Sequence, residues 1–160
     1  MEDLLNKEPV KRVLKALSDF DESLKIETLI SSARTAKDAS ESLKTEVGSI
    51  VKSLLLRRKS SFLLCLVAGD KRCSLNKIKK VLNEKDVSMG SADQVKEITG
   101  FTIGGVSPVG YLNPIKIYID QSLSRFKYIF GAAGHPNCVF KINFEDLQKI
   151  TSGEVMDIVE

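Results

Sequence analysis

Apolar and polar positions alternate along the chain with two periods, and the period changes from segment to segment. "EPVKRVLKALSDF" sets apolar residues at 10, 13, 14 and 17, the spacing of one helix face, with Pro9 in a first turn where its missing N–H costs nothing. "SLKIETLI" switches to period two (Leu24, Ile26, Thr28, Ile30) and predicts a strand. Thr35 stands three residues before Asp38 in "TAKDASESLK", an N-cap arrangement opening a short helix. "SIVKSLLLRR" and "SFLLCLVAGD" predict two strands joined by a hairpin turn at Arg57-Arg58-Lys59-Ser60. Ser74 caps "LNKIKKVLN", whose Leu75, Ile78 and Leu82 form a helical stripe. Ser91 and Gln94 fit a capping box for "ADQVKEIT", and Gly100 is placed to stop that helix.

"TGFTIGGVSPVGYLNPIKIYID" comes next. Its connection, from "FTI" to the strand-like "PIKIYID", is longer than the two to five residues of an ordinary hairpin. It carries Gly104, Gly105, Pro108, Gly110 and Pro114, residues that fix or free the backbone. Ile115, Ile117 and Ile119 then share one face. "RFKYIFGAAG" and "CVFKINF" predict two more strands, Asn143 caps "FEDLQKI", and "GEVMDIV" closes the chain as a last strand. About six to eight strands and four or five short helices follow, with no steady βαβ rhythm. That order favours a mixed sheet or barrel with helices packed outside.

Composition adds limits. The hydrophobic fraction of 42% and charged fraction of 28% are those of an ordinary globular chain, and the absence of Trp leaves the core to Leu, Ile and Val. The longest apolar run, "FLLCLVA" (62–68), falls far short of the ~20 residues of a membrane span. The acidic start "MEDLLNKEPVKR" has no apolar core of a secretory signal. Cys65, Cys73 and Cys138 are odd in number and form no CxxC, which reads as reduced thiols in a cytoplasmic protein. The net charge of +3 hides an asymmetry: residues 52–85 hold ten basic side chains and two acidic ones, the rest 14 and 19. Such a face suits a polyanion, or is simply solvated lysine-rich surface.

Several chemistries lack their residues. His135 is the single histidine, and with three scattered cysteines it has no zinc-ligand spacing. GxGxxG, GxxxxGK[ST] and G-x-S-x-G are absent, and a Cys138–His135 nucleophile pair rests on sequence closeness alone. Four features remain. Lys52 interrupts an apolar strand, where it either meets an acceptor or anion or snorkels to the sheet edge. "GGVSP" presents backbone groups to a ligand or makes a bulge and a tight bend. "GAAGHP" holds His135 before a proline, at a site or as plain structure. Thr35 caps its helix with or without a further task.

In order along the chain, "TAKDASESL", "IVKSLLL", "VAGDKRCSLNKIKKVL", "SADQVKEITGFTIGGVSPVG", "YIDQSL" and "FGAAGHPNCVFKINFEDLQKITSGEVMDI" resemble the YbaK family, the prolyl-tRNA-synthetase-associated domain. The resemblance covers roughly residues 25–158 and implies one α+β domain over 1–160, with 1–22 as an N-terminal helical extension. It implies a mixed, mainly antiparallel, barrel-like sheet. It also implies a trans-acting aminoacyl-tRNA deacylase that hydrolyses the ester of a small wrong amino acid (alanine, serine, threonine or cysteine) without cofactor or metal. The expected partners are the acceptor end of mischarged tRNA and a synthetase. On the same grounds Lys52 holds the 3′-terminal adenosine end or its phosphate. Gly104, Gly105, Val106, Ser107 and Pro108 match the pocket loop that helps position water. Gly134 and His135 match the opposite wall, and Thr35 lies in a segment that often contributes to the pocket. Arg57, Arg58, Lys71, Arg72, Lys77 and Lys80 are the expected tRNA contacts. The alternative is a non-catalytic module of the same fold that binds tRNA ends or a nucleotide.

Overall fold

The structure is a computed structural model that describes residues 3–160. Helix α1 (Glu8–Phe20) points Val10, Val13 and Leu17 inward, all three with no solvent exposure. Strand β1 (Ile26–Thr28) is shorter than its alternating pattern predicts. Helix α2 (Ala36–Leu43) is capped by Thr35, whose side chain accepts from the Asp38 N–H at 3.0 Å. The hairpin of β2 (Ile50–Arg58) and β3 (Ser61–Ala68) is the spine of the sheet. Its turn is tighter than expected: Arg57 and Arg58 belong to β2, and the reversal falls at Lys59, with φ +52°, and Ser60.

Helix α3 (Leu75–Leu82) starts from the Ser74 cap. Strand β4 (Val87–Met89), too short for any periodicity, precedes α4 (Ala92–Thr99). The Ser91–Gln94 capping box is formed, and Gly100 ends α4 at φ +79°. The glycine-rich connection therefore runs from a helix to β5 (Lys116–Asp120), and "FTI" is not a strand. β6 (Ile129–Ala132), β7 (Cys138–Ile142), α5 (Phe144–Thr151) and β8 (Glu154–Met156) complete the order.

The eight strands form one mixed α+β sheet in the order β1-β7-β6-β2-β3-β5-β8, with β4 beside β2. The β1–β7, β7–β6, β2–β3 and β2–β4 pairs are antiparallel; β2–β6, β3–β5 and β5–β8 are parallel. No ladder joins β1 to β8 among the described residues, so the sheet stays open rather than closing as a barrel. Alternation along β2 and β3 sends Val51, Leu55, Leu64 and Leu66 to one face, under α1 and α5. It sends Leu56, Leu63, Cys65 and Val67 to the other, under α3 and the C-terminal Ile158. Ile117 and Ile119 join the first cluster as their shared face predicts, and Ile115 packs against it from just outside β5.

Candidate active site

Strand β2 has one fully occupied edge and one interrupted edge. β3 pairs with it from Val51 to Arg58. On the other side β6 takes only Ile50 and Val51, and β4 takes only Leu56 to Arg58. Between them opens a cavity of about 380 Å³. Its wall includes Thr35, Lys52, Ser53, Gly104 and Val106. Its lining is otherwise mostly apolar, with Val51, Leu55, Val95, Phe130 and Val139 among the contributors. A second hollow of about 450 Å³ adjoins it, lined in part by Arg72, Ser74 and Asn76, and Lys52 borders both.

Lys52 points to the face of Leu54 and Leu56 and is half-buried. Its Nζ donates to the carbonyl oxygen of Lys71, in the turn that follows β3. Burial pushes the Lys52 pKa down from its usual 10.5, while Cys73, Asp70 and Asp120 pull it back up. The turn itself is anchored by Asp120, which is fully buried. Asp120 Oδ2 accepts from the Ala68 N–H at 3.0 Å and from Ser122 Oγ at 2.8 Å, and Oδ1 accepts from the Ser122 N–H at 2.8 Å. Arg125 adds a fork to Asp70 at 2.7 and 2.9 Å, which holds the Asp70 carboxyl below its usual range.

The loop from Gly100 to Ile115 is shaped by close backbone contacts. Gly104 has φ +95°, and a side chain there would run into Arg34. The Gly105 N–H donates to Thr102 O and its carbonyl accepts from Gly134 N–H, both at 3.0 Å. A Cβ on Gly105 would sit 2.9 Å from the His135 nitrogen, so this glycine is what lets the two loops touch. Ser107 is fully buried, and its Oγ accepts from the Val109 N–H at 3.1 Å. Pro108 packs under Gly131. His135 Nδ1 accepts from the Asn137 N–H at 3.0 Å. Helix α1 braces this assembly: Arg12 donates to the carbonyls of Gly110 (3.1 Å) and Gly100 (2.9 Å), and Gly134 rests on Pro9.

Of the residues named from sequence, Thr35, Lys52, Gly104 and Val106 thus meet on one cavity wall. Gly105, Ser107, Pro108, Gly134 and His135 stand behind that wall as its support. Arg34, Ser53, Val95 and Phe130 also line the cavity and were not singled out. Ser53 gave a signal in sequence, a polar residue beside Lys52 in an apolar run; the others gave none. The basic residues divide. Arg57 pairs with Asp86 (2.6 Å), Lys77 with Asp157 (2.7 Å), Arg72 loosely with Glu160 (3.9 Å), and Arg58 reaches Leu82 O (3.4 Å). Lys71 and Lys80 have no ion pair among the described residues.

The cysteines are free thiols. Cys73, beside the second hollow, is pushed down by a hydrogen bond with Cys65 and by the Lys52 charge, against a contrary push from burial. Cys65 is pushed up by the same partnership and by burial. Cys138 lies on the other side of the sheet, buried and pushed up. None of the helices among the described residues is long and apolar enough to cross a membrane.

Comparison with known proteins places this geometry. The family model for the aminoacyl-tRNA editing domain matches residues 30–150. A Bacillus subtilis protein of unassigned function, YwhH, is 31% identical over 125 residues, covering 78% of this chain and 79% of its own. An Enterococcus faecalis protein provisionally named as a Cys-tRNA(Pro)/Cys-tRNA(Cys) deacylase is 26% identical, over 78% of this chain and 76% of its own. The proline–tRNA ligase of Kosmotoga olearia is 33% identical over 94 residues, 59% of this chain but only 16% of the ligase. A crystal structure described provisionally as a trans-editing enzyme for prolyl-tRNA synthetase superposes with a TM-score of 0.90 and 34% identity, covering 96% of this chain and 98% of that one. By the extent of the family match and by its fold, the chain belongs to the YbaK-like aminoacyl-tRNA editing domain family.

Proposed function

We propose that the protein is a deacylase that acts in trans on mischarged tRNA, cleaving the ester between a small amino acid and the terminal ribose. The observation that carries this reading is the cavity bordered by Lys52, Gly104 and Val106, with a second hollow adjoining it at Lys52. Family membership supports the same chemistry.

An aminoacyl ester is already activated, so its hydrolysis needs placement and charge stabilisation more than a strong nucleophile. The apolar cavity receives the aminoacyl group, and its size suits an alanyl, seryl, threonyl or cysteinyl residue. The second hollow, with Arg72, Ser74 and Asn76 in its lining, receives the terminal nucleotide. Lys52, between them, acts as a point charge on the phosphate or ribose and gives up its Lys71 carbonyl when the anion arrives. The main chain at Gly104 and Val106 faces the ester and orients water or the developing oxyanion. The Gly105 N–H, bonded to Thr102 O, and the Gly105 carbonyl, bonded to the Gly134 N–H, fix that wall, and His135 supports it from behind. Lys71 and Lys80 take acceptor-stem phosphates first, because Arg57 and Lys77 must leave carboxylate partners to do so. A synthetase that makes the error is the natural docking partner, and the cytoplasm is the place of action.

The test is deacylation of a panel of mischarged tRNAs. Faster release than in buffer from at least one small-residue ester is expected. Tight tRNA binding without release would favour the binding-module reading instead.

A further inference from the structure

Arg34 stands at the mouth of the cavity, in the loop between β1 and α2. The deeper lining residues Val51, Leu55 and Val95 are buried, whereas Arg34, Met89 and Ile103 are exposed and form the rim. The backbone on either side of Arg34 is pinned. The Leu29 N–H donates to Asn137 O at 2.7 Å, and the Ala33 N–H donates to Pro136 O at 2.6 Å. The Arg34 N–H donates to Ser32 Oγ at 3.2 Å, and Thr35 then caps α2. The side chain lies along Gly104, where a Cβ would sit 2.9 Å from Arg34 Cγ and 3.3 Å from its Nε. The bare backbone of Gly104 thus leaves the arginine its place at the rim.

Two cations, Arg34 and Lys52, line the cavity, and no carboxylate does. Lys52 rests on a neutral carbonyl. The Arg34 guanidinium has no ion pair among the described residues, whereas Arg12, Arg57 and Arg125 pair with Glu8, Asp86 and Asp70. A cleft lined by one sign of charge concentrates its field on an ion of the other sign. We infer that Arg34 grips a backbone phosphate of the single-stranded tRNA 3′ end as the strand crosses the cavity mouth. This inference rests on the deacylase reading above and names the part of the substrate that this residue holds. A guanidinium fork meets two phosphate oxygens at once, which a lone ammonium does not. The aminoacyl group offers it nothing comparable: its α-ammonium form is repelled, and its small side chain belongs to the apolar interior. The phosphate is the same whatever amino acid is attached, so the contact adds affinity without selecting the ester.

The experiment measures binding of the trinucleotide CpCpA and of adenosine, which has no phosphate, to the wild-type protein, Arg34→Gln and Arg34→Lys. Arg34→Gln should weaken CpCpA about tenfold and leave adenosine unchanged, the low end for a charged hydrogen bond because the guanidinium is exposed. Arg34→Lys should fall between the two, since it keeps the charge and loses the fork. For uncharged tRNA, the slope of log affinity against log salt should drop by about 0.7 in Arg34→Gln and hold in Arg34→Lys. On a hydrolysed ester, Arg34→Gln should raise KM with kcat kept. Thermal melting shows whether each variant is folded. Equal CpCpA binding by wild type and a folded Arg34→Gln overturns the inference. So does a loss shared equally by CpCpA and adenosine, or a fall in kcat alone, and each of these leaves the deacylase reading intact. The binding arms need no turnover, so a protein that hydrolyses no ester yet shows the CpCpA contrast loses the deacylase reading and keeps the phosphate grip.

Discussion

Gly105→Ala tests whether the pocket wall depends on the meeting of two loops. The added Cβ would lie 2.9 Å from the His135 nitrogen, 3.0 Å from the Gly134 carbonyl carbon and 3.1 Å from the His135 Cα. All three are backbone atoms, so no side chain can swing away. Relief to an ordinary contact of 3.4 Å requires the loops to part by about half an ångström. That displacement stretches the 3.0 Å bond from Gly134 N–H to Gly105 O beyond useful length. Overpacking of this kind costs about 1–3 kcal/mol, and the weakened hydrogen bond adds about 1 kcal/mol. For a domain of this size the sum lowers Tm by about 5–10 °C. Gly104 and Val106 move with the loop, and a reacting group misplaced by a fraction of an ångström should slow deacylation about tenfold or more. Differential scanning calorimetry and single-turnover deacylation check the two effects. A Tm within about 1 °C of wild type, together with an unchanged rate, would refute the claim that these loops are in backbone contact.

Lys52→Met should fold and lose about 100-fold in kcat/KM, the usual cost of deleting one charge-stabilising group from a site. Because burial depresses the Lys52 pKa, the charged form is disfavoured in the folded state: the penalty is full below the folded pKa and vanishes as pH rises towards 10.5. Lys52→Met should therefore melt higher than wild type at neutral pH, with the gap closing towards pH 10.5, and a gap independent of pH would contradict this. Iodoacetamide on the native protein should label Cys73 well before Cys65 or Cys138, since only its thiol is pushed down, and peptide mass mapping reads the order. Asp120→Asn should lower stability by about 2–3 kcal/mol in urea, because either amide orientation sets an NH₂ against the Ala68 or Ser122 N–H.

What the sequence disclosed was local. The Thr35, Ser74 and Asn143 caps, the Ser91–Gln94 box and the Gly100 stop all depend on residues within a turn of each other, and each was legible. Lys52 stood out because a cation in an apolar strand needs an explanation. The rest depends on pairings distant in sequence. Strand β4 is three residues without periodicity, and only its ladder to Leu56–Arg58 makes it a strand. Nothing near "FTI" reveals that α4 ends directly in an irregular loop. The cavity exists because β6 and β4 each stop short on β2, a fact about three segments at once. Arg34 reaches that cavity from the loop before α2, and Phe130 from β6, whose own patterns give no sign of it.

Helix α1 precedes residues 30–150, the part that the editing-domain family model matches. Yet its Arg12 ties together Gly100 and Gly110, and its Pro9 seats Gly134. A mutation in this helix would travel to the cavity through the carbonyls it holds, with every wall residue left unchanged. Grafting residues 30–150 alone into another protein would strip away that brace, and the transplant would arrive with a slack mouth and altered discrimination.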